Sequence, residues 1–141
     1  MSTEQNKDVV RRFLEEVWNA GNLDVVDELI APDYVNHTDP GQPPGPEGVK
    51  PLVTQFRSAF PDVHNAIEDV VAEEDRVAVR VTLVGTHTGE WTGRPPTGSA
   101  FSVEGMRLYR LTGGKIAEMW SATDSLTMLR QLGVIPAPDL A

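Results

Sequence analysis

The stretch Phe101–Asp124, FSVEGMRLYRLTGGKIAEMWSATD, leaves this chain few choices. It reads as two strands joined by the turn Thr112-Gly113-Gly114-Lys115. Paired glycines supply the positive φ angles a short hairpin needs, at no steric cost. In the first arm Glu104, Met106 and Leu108 alternate with Val103, Gly105 and Tyr109. In the second, Ile116, Glu118, Trp120, Ala122 and Asp124 share one parity, because strand side chains repeat every two residues. That parity is expected to put Asp124 on the Trp120 side at the strand's mouth. A carboxylate beside an indole in a partly dry pocket is a usable general base.

The rest of the chain reads as helices first and strands afterwards. Ser2 or Thr3 caps a first helix whose stripe is Val9, Val10, Phe13, Leu14, Val17 and Trp18, ended by Asn19-Ala20-Gly21-Asn22. A shorter helix carries Leu23, Val26, Leu29 and Ile30 and stops before Pro32. Asp33–His37 is a short extended piece, and Thr38–Pro46 is a Gly/Pro loop. A third helix opens at Pro46 and carries Val49, Leu52, Val53, Phe56 and Phe60. The period then changes to two, over Val63–Ala72 and again over Val77–Leu83, with Glu73-Glu74-Asp75-Arg76 as the turn between them. Gly89–Gly98 is loop, the hairpin follows, and Asp124 or Thr123 opens a last helix with Leu126, Leu129 and Leu132, ended by Gly133. Residues 135–141 read as a loose tail. Three helices before about four strands argue an α+β fold with an antiparallel sheet, in one domain spanning 1–141. Apolar residues on both parities of the later strands suggest a homodimer through the outer sheet face.

Composition removes several classes of function. The chain has no cysteine, which rules out disulfides, thiol nucleophiles and cysteine metal sites. A net charge of −9 repels phosphate backbones, so nucleic acid is not an expected partner. The polar start MSTEQNKDVVRRF and the lack of a long apolar run suggest a cytoplasmic protein with no membrane partner. There is no Gly-x-Ser-x-Gly elbow and no P-loop, and Gly41, Gly45 and Gly48 have the wrong spacing for a dinucleotide fingerprint. His37, His64 and His87 lie in different segments, so no metal and no other cofactor is expected. What remains is acid–base chemistry on a small apolar molecule.

The chain resembles the SnoaL-like polyketide (ester) cyclases, within the NTF2-like superfamily that also holds ketosteroid isomerase. The resemblance runs through Phe13-Leu14, Trp18-Asn19, Tyr34-Val35-Asn36-His37, Gly45-Pro46-Glu47-Gly48 and Ala59-Phe60-Pro61-Asp62. It continues through Gly85-Thr86-His87-Thr88-Gly89, Pro95-Pro96-Thr97-Gly98, Tyr109-Arg110, Gly114-Lys115-Ile116, Glu118-Met119-Trp120, Asp124 and Gln131-Leu132-Gly133. It implies a cone in which a curved sheet wraps a helical block around a cavity. It also implies a cofactor-free intramolecular aldol condensation of a polyketide ester. An aspartate at the position of Asp124 would take a proton from a carbon between two carbonyls. The expected wall is Trp18, Asn36, His37, His87, Met106 and Trp120, with Asn36, His37 and His87 meeting the enolate oxygen.

Other roles stay open for the same residues. Asp124 is also a good helix cap, and Trp18 and Trp120 suit a core. His37 can hold the proline-rich loop, Asn36 can bond nearby backbone, and Arg80 can pair with Glu104 or Glu118. A non-catalytic small-molecule binder and a dimeric interaction module share this sequence pattern. A ketosteroid-isomerase-like enzyme would use Asp39 as its base.

Overall fold

The computed structural model describes residues 2–136; most of the tail expected to be loose, 137–141, lies outside them. Helix α1 (Thr3–Arg12) starts at a reciprocal cap, in which the Ser2 hydroxyl accepts from the Gln5 N–H and the Gln5 side chain accepts from the Ser2 N–H. The helix then widens into π-turns over Phe13–Asn19, where the Ala20 N–H reaches back to the Glu15 carbonyl. Such widening re-aims side chains and recurs at functional sites. A 3₁₀ turn (Leu23–Val25) leads to one turn of helix α2 (Val26–Leu29), followed by strand β1 (Ile30–Asn36). Helix α3 (Pro46–Ala59), strands β2 (His64–Glu73), β3 (Arg76–Thr86), β4 (Ala100–Thr112) and β5 (Lys115–Thr123), and helix α4 (Ser125–Gln131) complete the order.

The fold class expected from the sequence holds: a helical block precedes a multi-stranded sheet in an α+β arrangement. The strand count is corrected from about four to five. The sheet runs β1-β5-β4-β3-β2, antiparallel except that β1 lies parallel to β5. The piece read as Asp33–His37 is part of a full edge strand that begins at Ile30. Pro32 hid it, since proline lacks the N–H a ladder uses and is tolerated only at an edge. Ile30, assigned to the second helix, is extended.

Two apolar clusters bracket an inner space. At one end Val10, Phe13, Leu14, Val17, Tyr34, Val77, Val79, Val81, Tyr109 and Ile116 pack together. At the other, Phe60, Val63, Leu83, Phe101 and Val103 meet Met128 and Leu132 of α4. Helix α4 thus folds back over the sheet's open end, and Gln131 Oε1 accepts the Ser102 N–H at 2.8 Å. Gly45, at φ 75°, tightens the loop before α3; a Cβ there would stand 2.5 Å from the Pro32 carbonyl oxygen.

Candidate active site

A cavity of about 260 Å³ lies between the two clusters, near the lower end of the roughly 300–1,000 Å³ usual for small-molecule sites. Phe13 and Trp18 of the π-turn segment, Val49, Leu52 and Phe56 of α3, and Trp91 form most of its apolar wall. Trp18 meets Phe56 edge-on at 5.9 Å. Polar groups enter from the strands: Tyr34 and Asn36 of β1, Asn65 of β2, Arg107 and Tyr109 of β4, and Ser121 and Thr123 of β5. Gln42 and Ser125 add to them.

Strand parity decides who faces inward. On β4 the inner set is Val103, Gly105, Arg107 and Tyr109, opposite Val81 and Val79 of β3. Met106 points outward and is 52% exposed, so its expected place in the wall is corrected. On β5 a bulge shifts the register between Ile116, opposite Leu111, and Glu118, opposite Arg110. Both Ile116 and Ala117 are buried, and beyond the bulge the inner residues are Met119, Ser121 and Thr123. The parity that carries Ile116 inward therefore carries Trp120 outward. Trp120 stacks on His37 with ring centroids 4.7 Å apart and lies under the Arg76 guanidinium. His37 follows inward-facing Asn36 by one residue and so faces out, where its Nε2 meets Glu118 Oε1 at 3.0 Å.

Of the residues expected in the wall, Trp18 and Asn36 line the cavity. Asn36 is largely committed to the loop: its Oδ1 accepts the N–H groups of Thr38 and Asp39, and its amide donates to Gln42 Oε1 at 3.0 Å. His87 is fully buried behind the wall, against Phe60 and Trp91, with Nδ1 accepting the Thr97 N–H. Asp39 is exposed and accepts the Gly41 N–H. Arg80 pairs with Glu104 and with Asp69, while Glu118 pairs with Arg110.

Asp124 is the N-cap of α4, with Oδ1 accepting the Thr127 N–H at 3.2 Å. It is exposed rather than enclosed, and its neighbours Thr123 and Ser125 both line the cavity. It therefore stands at the rim. Oδ2 has no hydrogen-bond partner among the described residues.

The inner polar cluster was not anticipated. Asn65 is 2% exposed. It exchanges bonds with Asn19 at the end of the π-turn segment: Asn19 Oδ1 accepts the Asn65 backbone N–H at 2.7 Å, and Asn19 Nδ2 donates to the Asn65 carbonyl at 3.0 Å. Asn65 Oδ1 accepts from Arg107 Nη1 at 2.8 Å. The guanidinium also lies beside the Tyr109 hydroxyl. Burial raises the Tyr109 and Tyr34 hydroxyls above the usual phenol range, outweighing the opposing pull of Arg107. Both phenols therefore stay protonated and neutral. No group of three or more His, Cys, Asp or Glu suited to a metal occurs among the described residues, and no helix there is long and apolar enough to cross a membrane.

Comparison with known proteins agrees with this architecture. Residues 8–132 match the family model of the SnoaL-like polyketide cyclases. The nogalonic acid methyl ester cyclase of Streptomyces nogalater is 39% identical over 126 residues, covering 86% of this chain and 92% of that protein. The aklanonic acid methyl ester cyclase DnrD of Streptomyces peucetius is 36% identical, covering 89% of each chain. Among solved structures, TsrD of Streptomyces laurentii superposes with a TM-score of 0.88 at 27% identity, over 96% of this chain and 99% of that one. IdmH of Streptomyces antibioticus gives 0.78 at 37% identity, over 92% and 99%. The chain belongs to the SnoaL-like polyketide cyclase family of the NTF2-like superfamily.

Proposed function

We propose that this protein closes a ring in a polyketide ester by cofactor-free acid–base chemistry, with Asp124 as the general base. The observation that carries the reading is the make-up of one cavity. Its wall is aromatic and aliphatic, its strand side is polar, and a carboxylate with a free oxygen stands between two residues of its rim. Relatives named for the methyl esters of nogalonic and aklanonic acid, within a family named for polyketide cyclases, support the substrate class: a polyketide ester. The modest cavity volume suits a ligand that protrudes at the mouth, which is where Asp124 stands.

The chemistry balances without an outside reagent. Asp124 takes the proton from a carbon flanked by two carbonyls, and the C–H electron pair moves into the enolate. The enolate carbon attacks a ketone of the same molecule; a C–C bond forms as the C=O π bond breaks. The new alkoxide takes back the proton. Holding the chain folded in the cavity removes much of the entropic barrier to that closure.

The test is conversion of a polyketide acid methyl ester to a product of unchanged mass and altered chromatographic retention. Asp124→Asn, which keeps a good helix cap, is expected to slow it by at least ~100-fold. Full activity in that variant would remove Asp124 from the role. A second reading, a small-molecule binder without catalysis, has its own support: no carboxylate or imidazole lines the cavity among the described residues, and Asp124 already serves α4. A wild-type protein that binds the ester and never turns it over would establish that reading instead.

A further inference from the structure

Arg107 is the one charged side chain among the described residues that line the cavity. It lies on the inner face of the sheet, in a chain with 21 acidic residues against 12 lysines and arginines. With carboxylates so plentiful, Arg12, Arg80 and Arg110 each sit on one or two of them. Arg107, like Arg57, Arg76, Arg94 and Arg130, has none within ion-pair distance among the described residues, but of these five only Arg107 lines the cavity. Its one side-chain hydrogen-bond partner among the described residues, the Asn65 amide oxygen, is neutral. A guanidinium cannot shed its charge, and an unpaired charge in a partly dry site is costly. Its five N–H groups outnumber that partner, leaving donors to spare in a side chain that lines the cavity.

The cation is held in place. Arg57 Nη1 donates to the carbonyls of Trp18 and Asn19 at 2.8 Å each, Asn19 clamps Asn65, and Asn65 accepts from Arg107. This relay runs from α3 through the π-turn segment and β2 to β4. It fixes one edge of the guanidinium and leaves the rest of the fork free, an arrangement suited to a delocalised oxygen anion.

We infer that Arg107 is the seat for an anionic oxygen of the ligand, so that the cavity takes an enolate or an acyl-phenolate in preference to its neutral parent. Asn65 and Asn19 are positioning residues for that seat. The inference deepens the cyclase reading, because an enolate is the species that reading generates, but binding alone tests it. A preorganised donor aimed at developing charge acts on the transition state as well, and removing one such donor typically costs ~100–1,000-fold in rate.

The experiment uses 2-acetyl-1-naphthol, whose anion absorbs at longer wavelength than the neutral form. Its ionisation is titrated free and bound to the full-length protein. In the wild type the anion is expected to bind at least about tenfold more tightly than the neutral form, the scale of one hydrogen bond to a charged group. Arg107→Met should abolish that preference while still binding the neutral form, and Arg107→Lys should keep part of it. Asn65→Leu should weaken it without removing the charge. A merely structural arginine would leave the probe's ionisation unmoved. Equal binding of the two forms by the wild type, binding of neither at millimolar concentration, or a preference that survives Arg107→Met would each overturn the proposal. The first two need no variant to fold. Anion preference without any ring closure would leave the seat standing and remove the cyclase reading alone.

Discussion

Asn19 and Asn65 lie 46 positions apart and clamp one another through both backbone and side chain, with Asn19 Oδ1 accepting from the Asn65 N–H at 2.7 Å and from its amide at 3.2 Å. The pair joins the end of the first helix to the start of β2, beneath the cavity. Replacing Asn65 with Ala keeps both backbone bonds to Asn19 but removes the amide, so the Arg107 guanidinium loses its acceptor. The expected loss is about 1–3 kcal/mol, the cost of leaving buried polar groups unsatisfied. Urea unfolding should show a lower midpoint with an unchanged slope. An unchanged midpoint would mean that water replaces the Asn65 amide without loss.

Asp124 serves α4 whatever else it does. Asp124→Ala should destabilise the protein by about 0.5–2 kcal/mol, whereas Asp124→Asn should cost little, because asparagine caps equally well. Thermal unfolding of both variants separates cap from base. Activity lost in the stable Asn variant is chemical, and activity lost only in the Ala variant is structural.

The order of the elements was legible because period and punctuation agree along most of the chain. Gly113 and Gly114 mark the hairpin, and the alternation from Val77 to Leu83 marks β3. The faces of β5 were harder to read. Ile116 looks inward, and a uniform period of two then assigns Trp120 and Asp124 to the cavity. The bulge at Ala117 reverses that assignment, and no residue there announces it. His37 failed for a simpler reason: it is adjacent in a strand to inward-facing Asn36. Arg107 carried a usable signal, as a lone cation on the Val103–Gly105–Tyr109 parity. An arginine on an apolar face asks for a partner. Asn65 carried no such signal, since its role depends on Asn19, which only the fold brings near.

Stability should fall in acid through identifiable carboxylates. Glu118 is held below the usual carboxylate range, first by Arg110 and then by His37. Asp62 is held low by the hydroxyl and the N–H of Thr86, both at 2.7 Å. A carboxyl group whose folded-state pKa is depressed binds fewer protons folded than unfolded. Its contribution is present above its ordinary pKa and is lost as pH falls through the folded value. Glu118→Gln and Asp62→Asn should each flatten the drop in unfolding free energy below the ordinary carboxylate range. They should leave the slope of the pH profile near neutrality unchanged. A wild-type acid limb retained in the double variant would assign the effect to other groups.

The outer face of the sheet should bring two copies together. Across four strands Val71 stands opposite Ala78, Ala78 opposite Leu108, and Leu108 opposite Trp120; the next row sets Arg80, Met106 and Ala122 side by side. Val71 is 63% and Met106 52% exposed, so the face is apolar and uncovered within one chain. Arg80, Asp69 and Glu104 form an ion-paired cluster beside it, where a second copy's polar edge would fit. A stable sheet-to-sheet contact of this kind buries about 1,600 Å² in total. Two charges placed in the rows, Val71→Lys with Met106→Glu, should yield a folded monomer, because neither residue packs in the core. Sedimentation velocity at tens of micromolar is the measurement, a range in which a contact of standard size stays closed. A monomeric wild type would refute the dimer, and a double variant that remains dimeric would move the interface to another face.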